Sequence, residues 1–154
     1  MLTKNDVKRI IKKKNVKFIE LWFCDILGML KALTIPREEL DKAFEEGMGF
    51  DGSSVRGFTR IDESDMVAVP DPATFVILPW RPKENATGRM FADILNPDRT
   101  PFEGDHRYIL KRSLSAIKKQ GYTFYVGPEL EYFYFKDSNK TEVLDSGGYL
   151  DLIP

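Results

Sequence analysis

The chain has 154 residues, 42% of them hydrophobic and 31% charged, with 23 basic against 24 acidic residues for a net charge of −1. That composition is expected of a soluble globular chain holding one domain, or one small domain and part of another. It offers no charge-based case for a nucleic acid or a membrane surface as partner. Cys24 is the only cysteine, so no internal disulfide can form and a reducing compartment is expected. Lysine or arginine interrupts every apolar run near the N-terminus, which leaves no signal peptide or bilayer span and places the protein in the cytoplasm.

Thr3 is positioned as an N-cap with Asp6 in the first turn, and Val7, Ile10 and Ile11 give the spacing of one helix face. Asn15 ends that helix, and Lys12-Lys13-Lys14 reads as a solvated helix end favoured by the dipole. Val16 to Phe23 is β-branched and aromatic, with Phe18, Glu20 and Trp22 alternating against Ile19, Leu21 and Phe23. After Asp25-Ile26-Leu27-Gly28 a second extended run covers Met29 to Ile35, so a hairpin is expected. Pro36 stops it. A helix with Leu40, Ala43 and Phe44 on one face then runs to Glu46, with Gly47 as its C′ residue.

Gly49 to Asp65 is loop-rich. Met66 to Trp80 is strand-like but broken by Pro70, Pro72 and Pro79, which predicts an edge or interrupted strand. Arg89 to Leu95 is a further short strand, and the polar run Asn96 to Asp105 is the expected domain boundary. Arg107 to Gln120 is an amphipathic helix with Leu110, Leu114 and Ile117 on one face, capped by Asp105 and followed by Gly121. Tyr122 to Lys136 reads as one or two strands broken at Gly127-Pro128. The result is a helix-crossed mixed sheet followed by the opening helix and strand of something larger.

Three constellations could carry chemistry. Glu129 and Glu131 are two apart in an extended run, so both point to one face with Cα atoms roughly 6.6 Å apart. Carboxylates so placed can each hold a divalent cation or share one; they can also be two solvent-facing glutamates. Against the second reading, Phe133 and Phe135 continue the glutamate face while Leu130, Tyr132 and Tyr134 fill the other, a pattern of buried strands. Phe50-Asp51-Gly52-Ser53-Ser54, followed by Arg56-Gly57-Phe58, is a dense polar hook that residue types alone assign to a simple turn. Asp62-Glu63-Ser64-Asp65 reads as a helix start or a solvated turn. His106, the only histidine, is a surface residue and not a ligand. No phosphate-binding glycine loop, dinucleotide fingerprint or nucleophile–base–orienter set is present.

The order of these pieces resembles glutamine synthetase of the prokaryotic class. The resemblance rests on CDILGMLKALTIP (24–36), MGFDGSSVRGFTRIDESDMVAVPDPATFVILPW (48–80), FADILNPDRTPFEGDHRYILKR (91–112) and GPELEYFYF (127–135). It implies an α+β chain: a β-grasp-like N-terminal domain over 1–100, then the opening helix and strand of an incomplete catalytic domain over 105–154. It implies formation of glutamine from glutamate and ammonium through an acyl phosphate, with ATP as substrate and Mg²⁺ or Mn²⁺ as cofactor. Glu129 and Glu131 fall on the family's metal-binding glutamates, Asp51 on the carboxylate that binds ammonium and takes its proton, and Ser54 lies beside it. The family's homo-oligomeric ring would place Asp51 and Ser54 in the neighbouring subunit's site. His106 stands where the family often carries proline. Because the family's catalytic domain continues far past Pro154, the expectation is an N-terminal fragment or truncated form, inactive in isolation. The alternatives are a non-catalytic module that assembles with full-length subunits, or part of a glutamate–amine ligase.

Overall fold

The structure, a computed structural model, describes residues 1–55 and 65–144. The segment 56–64 and the tail 145–154 lie outside the described residues, and with them Arg56-Gly57-Phe58, Asp62-Glu63-Ser64 and the expected final turn. The chain divides into two compact units, Met1–Tyr122 and Thr123–Pro154.

Helix α1 spans Lys4–Lys13. Its start is a full capping box, in which the Thr3 hydroxyl accepts from the Asp6 N–H and the Asp6 carboxylate accepts from the Thr3 N–H. Its end is a Schellman turn: Asn15 adopts φ 50°, its N–H donates to Lys12, and the Val16 N–H donates to Ile11. Val7, Ile11 and Val16 are thereby carried into the core.

Strands β1 (Phe18–Cys24) and β2 (Leu30–Pro36) form the expected antiparallel hairpin, with Phe18 opposite Pro36 and Cys24 opposite Leu30. Asp25, only 2% exposed, organises the turn by accepting from the N–H groups of Leu27 and Met29. Gly28 takes φ 80° there, which a side chain would resist.

A 3₁₀ turn at Arg37–Glu39 leads into α2 (Leu40–Glu45), which buries Leu40, Ala43 and Phe44. Gly47 ends the helix at φ 73°, and a β-carbon there would lie 2.5 Å from a Val67 methyl. Only glycine satisfies both the turn and the close approach of the sheet.

Four further strands complete the sheet: β3 (Met48–Asp51), β4 (Asp65–Pro70), β5 (Val76–Ile77) and β6 (Thr87–Leu95). The strand order is β2-β1-β6-β4-β3, with β5 paired to β6. The pair β1–β6 is parallel and every other pair is antiparallel. The proline-broken stretch does split, into β4 and β5, but β4 is not an edge strand, for it lies between β6 and β3. Pro70 is tolerated because it is the last paired residue, opposite Ala92. One face of the sheet carries Ile19, Leu21 and Phe23 of β1, Met66 and Ala68 of β4, and Met90, Ala92 and Ile94 of β6, in one apolar cluster with α1 and α2. Each large side chain fully buried there contributes about 1.5–3 kcal/mol. The opposite face carries Glu20, Trp22, Arg89, Phe91 and Asp93.

The polar run after β6 is tied down and does not trail. Pro101 bridges back to Leu95, the Phe102 N–H donates to Ile94, and the Arg99 guanidinium covers the Glu45 and Glu46 carbonyls at the end of α2. Helix α3 (His106–Lys119) follows directly. Its N-cap, Asp105, is 1% exposed and accepts from the N–H groups of Ile94, Arg107 and Tyr108. Arg107 then donates to Asp93 at 3.0 Å and Asp71 at 2.6 Å, and Lys111 to Asp93 at 2.5 Å. The helix buries none of its residues. Ile109, Leu110 and Leu114 are all exposed.

In the second unit the expected strand from Tyr122 to Lys136 does not form. Residues 123–134 have no ladder partner among the described residues, and a strand without one would leave its backbone groups to water. Among the described residues of this unit, pairing occurs at Phe135, which bridges Val143, and the Asp137 carboxylate turns the chain by accepting from Asn139 and Lys140 N–H groups.

The two acids at the start of α3 respond to pH with opposite sign. Burial pushes Asp93 up, but hydrogen bonds and charge from Lys111 and Arg107 outweigh it and hold the carboxyl below its ordinary value. Asp93 therefore contributes stability that is present above the unfolded value of about 3.9 and is lost as pH falls through the depressed one. Asp105 is raised, chiefly by burial, so its contribution is lost as pH rises through the raised value. Asp93→Asn should lower stability at pH 7 by about 1 kcal/mol. In denaturant titrations at pH 7 and at a pH below the depressed native value, the gap from the parent should be present at the first and closed at the second. A gap of equal size at both pH values would show that the ion pairs do not hold α3.

Candidate functional site

The Asp51 corner stands where β3 ends. Phe50 stacks on Phe23 with ring centroids 5.1 Å apart, Gly52 is buried, and Val55 is buried in the core. These contacts fix both sides of a 3₁₀ turn, Gly52–Ser54. The Asp51 carboxylate oxygen Oδ1 accepts from the Ser53 N–H at 2.9 Å and from the Ser53 hydroxyl at 2.6 Å. Asp51 remains exposed, and across the ladder it faces Asp65 of β4. Ser54 closes the turn, and Val55 N–H donates back to Gly52. Ser53, two residues after the acid, is thus hydrogen-bonded to it through both backbone and side chain. The signal for it was the Asx-turn spacing, in which a carboxylate bonds its own chain two residues on.

Glu129 and Glu131 are exposed in the part of the second unit that forms no helix or strand, flanked by exposed Leu130, Tyr132 and Phe133. Their hard oxygen donors suit Mg²⁺ or Mn²⁺. Among the described residues no group of three or more His, Cys, Asp or Glu could hold a metal ion, so the pair would supply only part of a ligand set. Asp51 and the glutamate pair belong to different compact units. His106 is the first residue of α3 and half-exposed, with no role in either cluster.

Residue spacing gave no sign of the charges on the outer sheet face. Glu20 is 7% exposed, and its carboxylate accepts from Trp22 Nε1 at 2.8 Å and from Arg81 at 2.7 Å. Both charges of that pair border one open cleft with Phe18, Thr34 and Thr87. The Arg89 guanidinium stacks over Phe91 and Trp22 and donates to the Thr74 carbonyl, while burial lowers its pKa. These side chains pin the 71–86 segment onto the sheet. No helix among the described residues is long and apolar enough to cross a membrane.

Two family models match the chain: the glutamine synthetase β-grasp domain over residues 15–97 and the glutamine synthetase catalytic domain over residues 103–150. The chain belongs to the glutamine synthetase family. It is α+β, with a β-grasp fold in its N-terminal part. Asp51 and Ser54 fall within the β-grasp match, Glu129 and Glu131 within the catalytic one. Curated glutamine synthetases from Methanosarcina mazei and Clostridium saccharobutylicum are 51% and 47% identical to it, each alignment covering 99% of this chain and 35% of the relative. The chain therefore spans about a third of the length of these relatives. Among solved structures, GmaS in complex with ADP is 28% identical with a TM-score of 0.67, over 75% of this chain and 26% of that one. Glutamine synthetase of Plasmodium falciparum, 20% identical over 79% of this chain and 23% of its own, shares the fold with a TM-score of 0.70.

Two carboxylates with no further ligand nearby hold a divalent cation weakly, in the range of about 1 mM or above. Titrating Mn²⁺ into the 154-residue chain should give such an affinity, lowered further by Glu131→Gln. Micromolar binding that survives Glu131→Gln would place the cation elsewhere.

Proposed function

We propose that the chain contributes to a glutamate–ammonia ligase, which forms glutamine from glutamate, ammonium and ATP by way of an acyl phosphate. Its domains in this proposal are the grasp domain, 1–100, and the start of the catalytic domain, 105–154. The observation that carries the proposal is the Asp51 corner: an exposed carboxylate on a turn fixed by Phe50 and Val55, within the part of the chain that matches the family's grasp domain.

The chemistry calls for acids in two places. The γ-carboxylate of glutamate and the terminal phosphate of ATP are both anions, and divalent cations held in part by Glu129 and Glu131 would offset their repulsion. Ammonium, for its part, must lose a proton before it can attack. An exposed carboxylate such as Asp51 first attracts the cation and then accepts that proton. Ser54, at the close of the same turn, would line the ammonium position. Asp51 and Ser54 would act toward the catalytic domain of an adjacent subunit in a homo-oligomeric ring, while Glu129 and Glu131 serve the site of their own subunit.

Complementation tests both assignments. In a chimera, residues 1–154 replace the matching third of the Methanosarcina mazei relative. Glu131→Gln should weaken metal binding and turnover, whereas Asp51→Asn should spare metal binding and impair ammonium use. Rings assembled from equal amounts of the two variants should recover about a quarter of the parent activity, because one interface in four pairs an intact metal site with an intact Asp51. Mixed rings no more active than either variant alone would refute the shared site.

A further inference from the structure

Among the described residues, two that are not glycine take positive φ: Asn15 at 50° and Arg99 at 72°. Asparagine tolerates that region and here ends α1, but the β-carbon of an arginine meets a steric clash in it. A residue held so against its own preference points to a task for its side chain. We propose that Arg99 is a latch that positions the Asp51 corner, its guanidinium tying the turn after β6 to the end of α2 and so fixing the near end of β3. The consequence for ammonium use rests on the reading of Asp51 as the ammonium-binding acid, while the latch itself rests on geometry.

The turn that carries Arg99 is closed from several sides. The Asn96 N–H donates to the Thr100 carbonyl and the Arg99 N–H to the Asn96 carbonyl, each at 2.9 Å. The Asp98 carboxylate accepts from the Thr100 N–H at 2.9 Å and from its hydroxyl at 2.6 Å. These bonds hold residue 99 left-handed and give its side chain a fixed base. From there the guanidinium reaches a helix end 53 residues earlier, where Nη1 donates to the Glu46 carbonyl and Nη2 to the Glu45 carbonyl at 3.2 Å. The last carbonyls of a helix have no partner within it, and a rigid fork of N–H groups can meet two of them at once. Directly beyond them Gly47 turns the chain, packed so closely that a β-carbon would lie 2.5 Å from a Val67 methyl. β3 starts at the next residue, lies at the end of the strand order against β4, and finishes at Asp51. Its far end is anchored by Phe50 on Phe23 and by buried Val55. Arg99 supplies an anchor at its near end. Arg99 does not touch substrate in this account; it acts through β3.

The test uses Arg99→Gly, Arg99→Ala and Asp51→Asn. Glycine deletes the fork but accepts a left-handed backbone without strain, so the relief offsets the loss and the defect is confined to the latch. As the 154-residue chain, Arg99→Gly should unfold within about 2 °C of the parent. Arg99→Ala, which keeps the strain and loses the fork, should unfold about 3 °C lower. Native-state hydrogen exchange should show the amides of β3 opening about fivefold faster in Arg99→Gly, while those of β1 change less than about twofold. In the Methanosarcina mazei chimera the same variant should raise KM for ammonium about threefold, with KM for ATP and kcat at saturating ammonium changed less than about twofold. Exchange in β3 no faster than in the parent, or faster by the same factor in β1, overturns the latch. Arg99→Ala as stable as Arg99→Gly removes the argument from strain and counts against it too. Faster exchange in β3 with an unchanged KM for ammonium, where Asp51→Asn does raise it, overturns the positioning role and leaves the Asp51 assignment standing. If Asp51→Asn itself leaves ammonium use unchanged, the underlying reading fails and takes the positioning role with it.

Discussion

The parallel pairing of β1 with β6 is the contact on which the sheet depends. Five residues of each strand are in register, from Phe18 opposite Thr87 to Trp22 opposite Phe91. Parallel strands cannot be joined by a tight turn, so everything between them has to serve as the crossover. Closing so long a loop costs entropy before any contact is made. The return is burial: Ile19, Leu21 and Met90 reach 0% exposure on the core face. Without that pairing, β1–β2 would be an isolated hairpin of marginal stability.

β6 then distributes the fold along its nine residues. Its first half meets β1 and β5, its second half meets β4, and β4 carries β3 with the Asp51 corner at its tip. The same strand receives α3 through Asp93 and, at Ile94, through Asp105. A candidate acid at one end and the first helix of the catalytic segment are thus mounted on one strand. Placement of chemistry follows from a hydrophobic constraint set elsewhere in the chain.

Local devices were legible in the sequence, and long-range ones were not. The Thr3–Asp6 capping box, the β1–β2 hairpin and the Gly47 stop each involve residues a few positions apart, so spacing alone identifies them. The prolines signalled an edge or an interrupted strand, and the interruption is what forms, with Pro70 on the last rung of an inner strand. The run Tyr122 to Lys136 has a buried strand's composition, but pleating needs a neighbour, and none pairs with residues 123–134 among those described. At the candidate site, acids could be located by type. The hydrogen bond from the Ser53 hydroxyl to Asp51 emerged only with the turn itself. Glu20 and Arg81, 61 residues apart, could be matched only through the folded sheet.

The central claim is that this chain supplies the ammonium-handling half of a glutamate–ammonia ligase. An exposed, fixed carboxylate suits a small cation that must surrender a proton, and a bulkier amine would need that corner reshaped. The most direct measurement is acceptor competition in the Methanosarcina mazei chimera, with glutamate and ATP saturating and ammonium and methylamine supplied together at equal concentration. The account predicts glutamine as the main product, at least about tenfold over the N-methyl amide, a difference of about 1.4 kcal/mol in transition-state binding. An assembled chimera that makes chiefly the amide, or neither product, would contradict it.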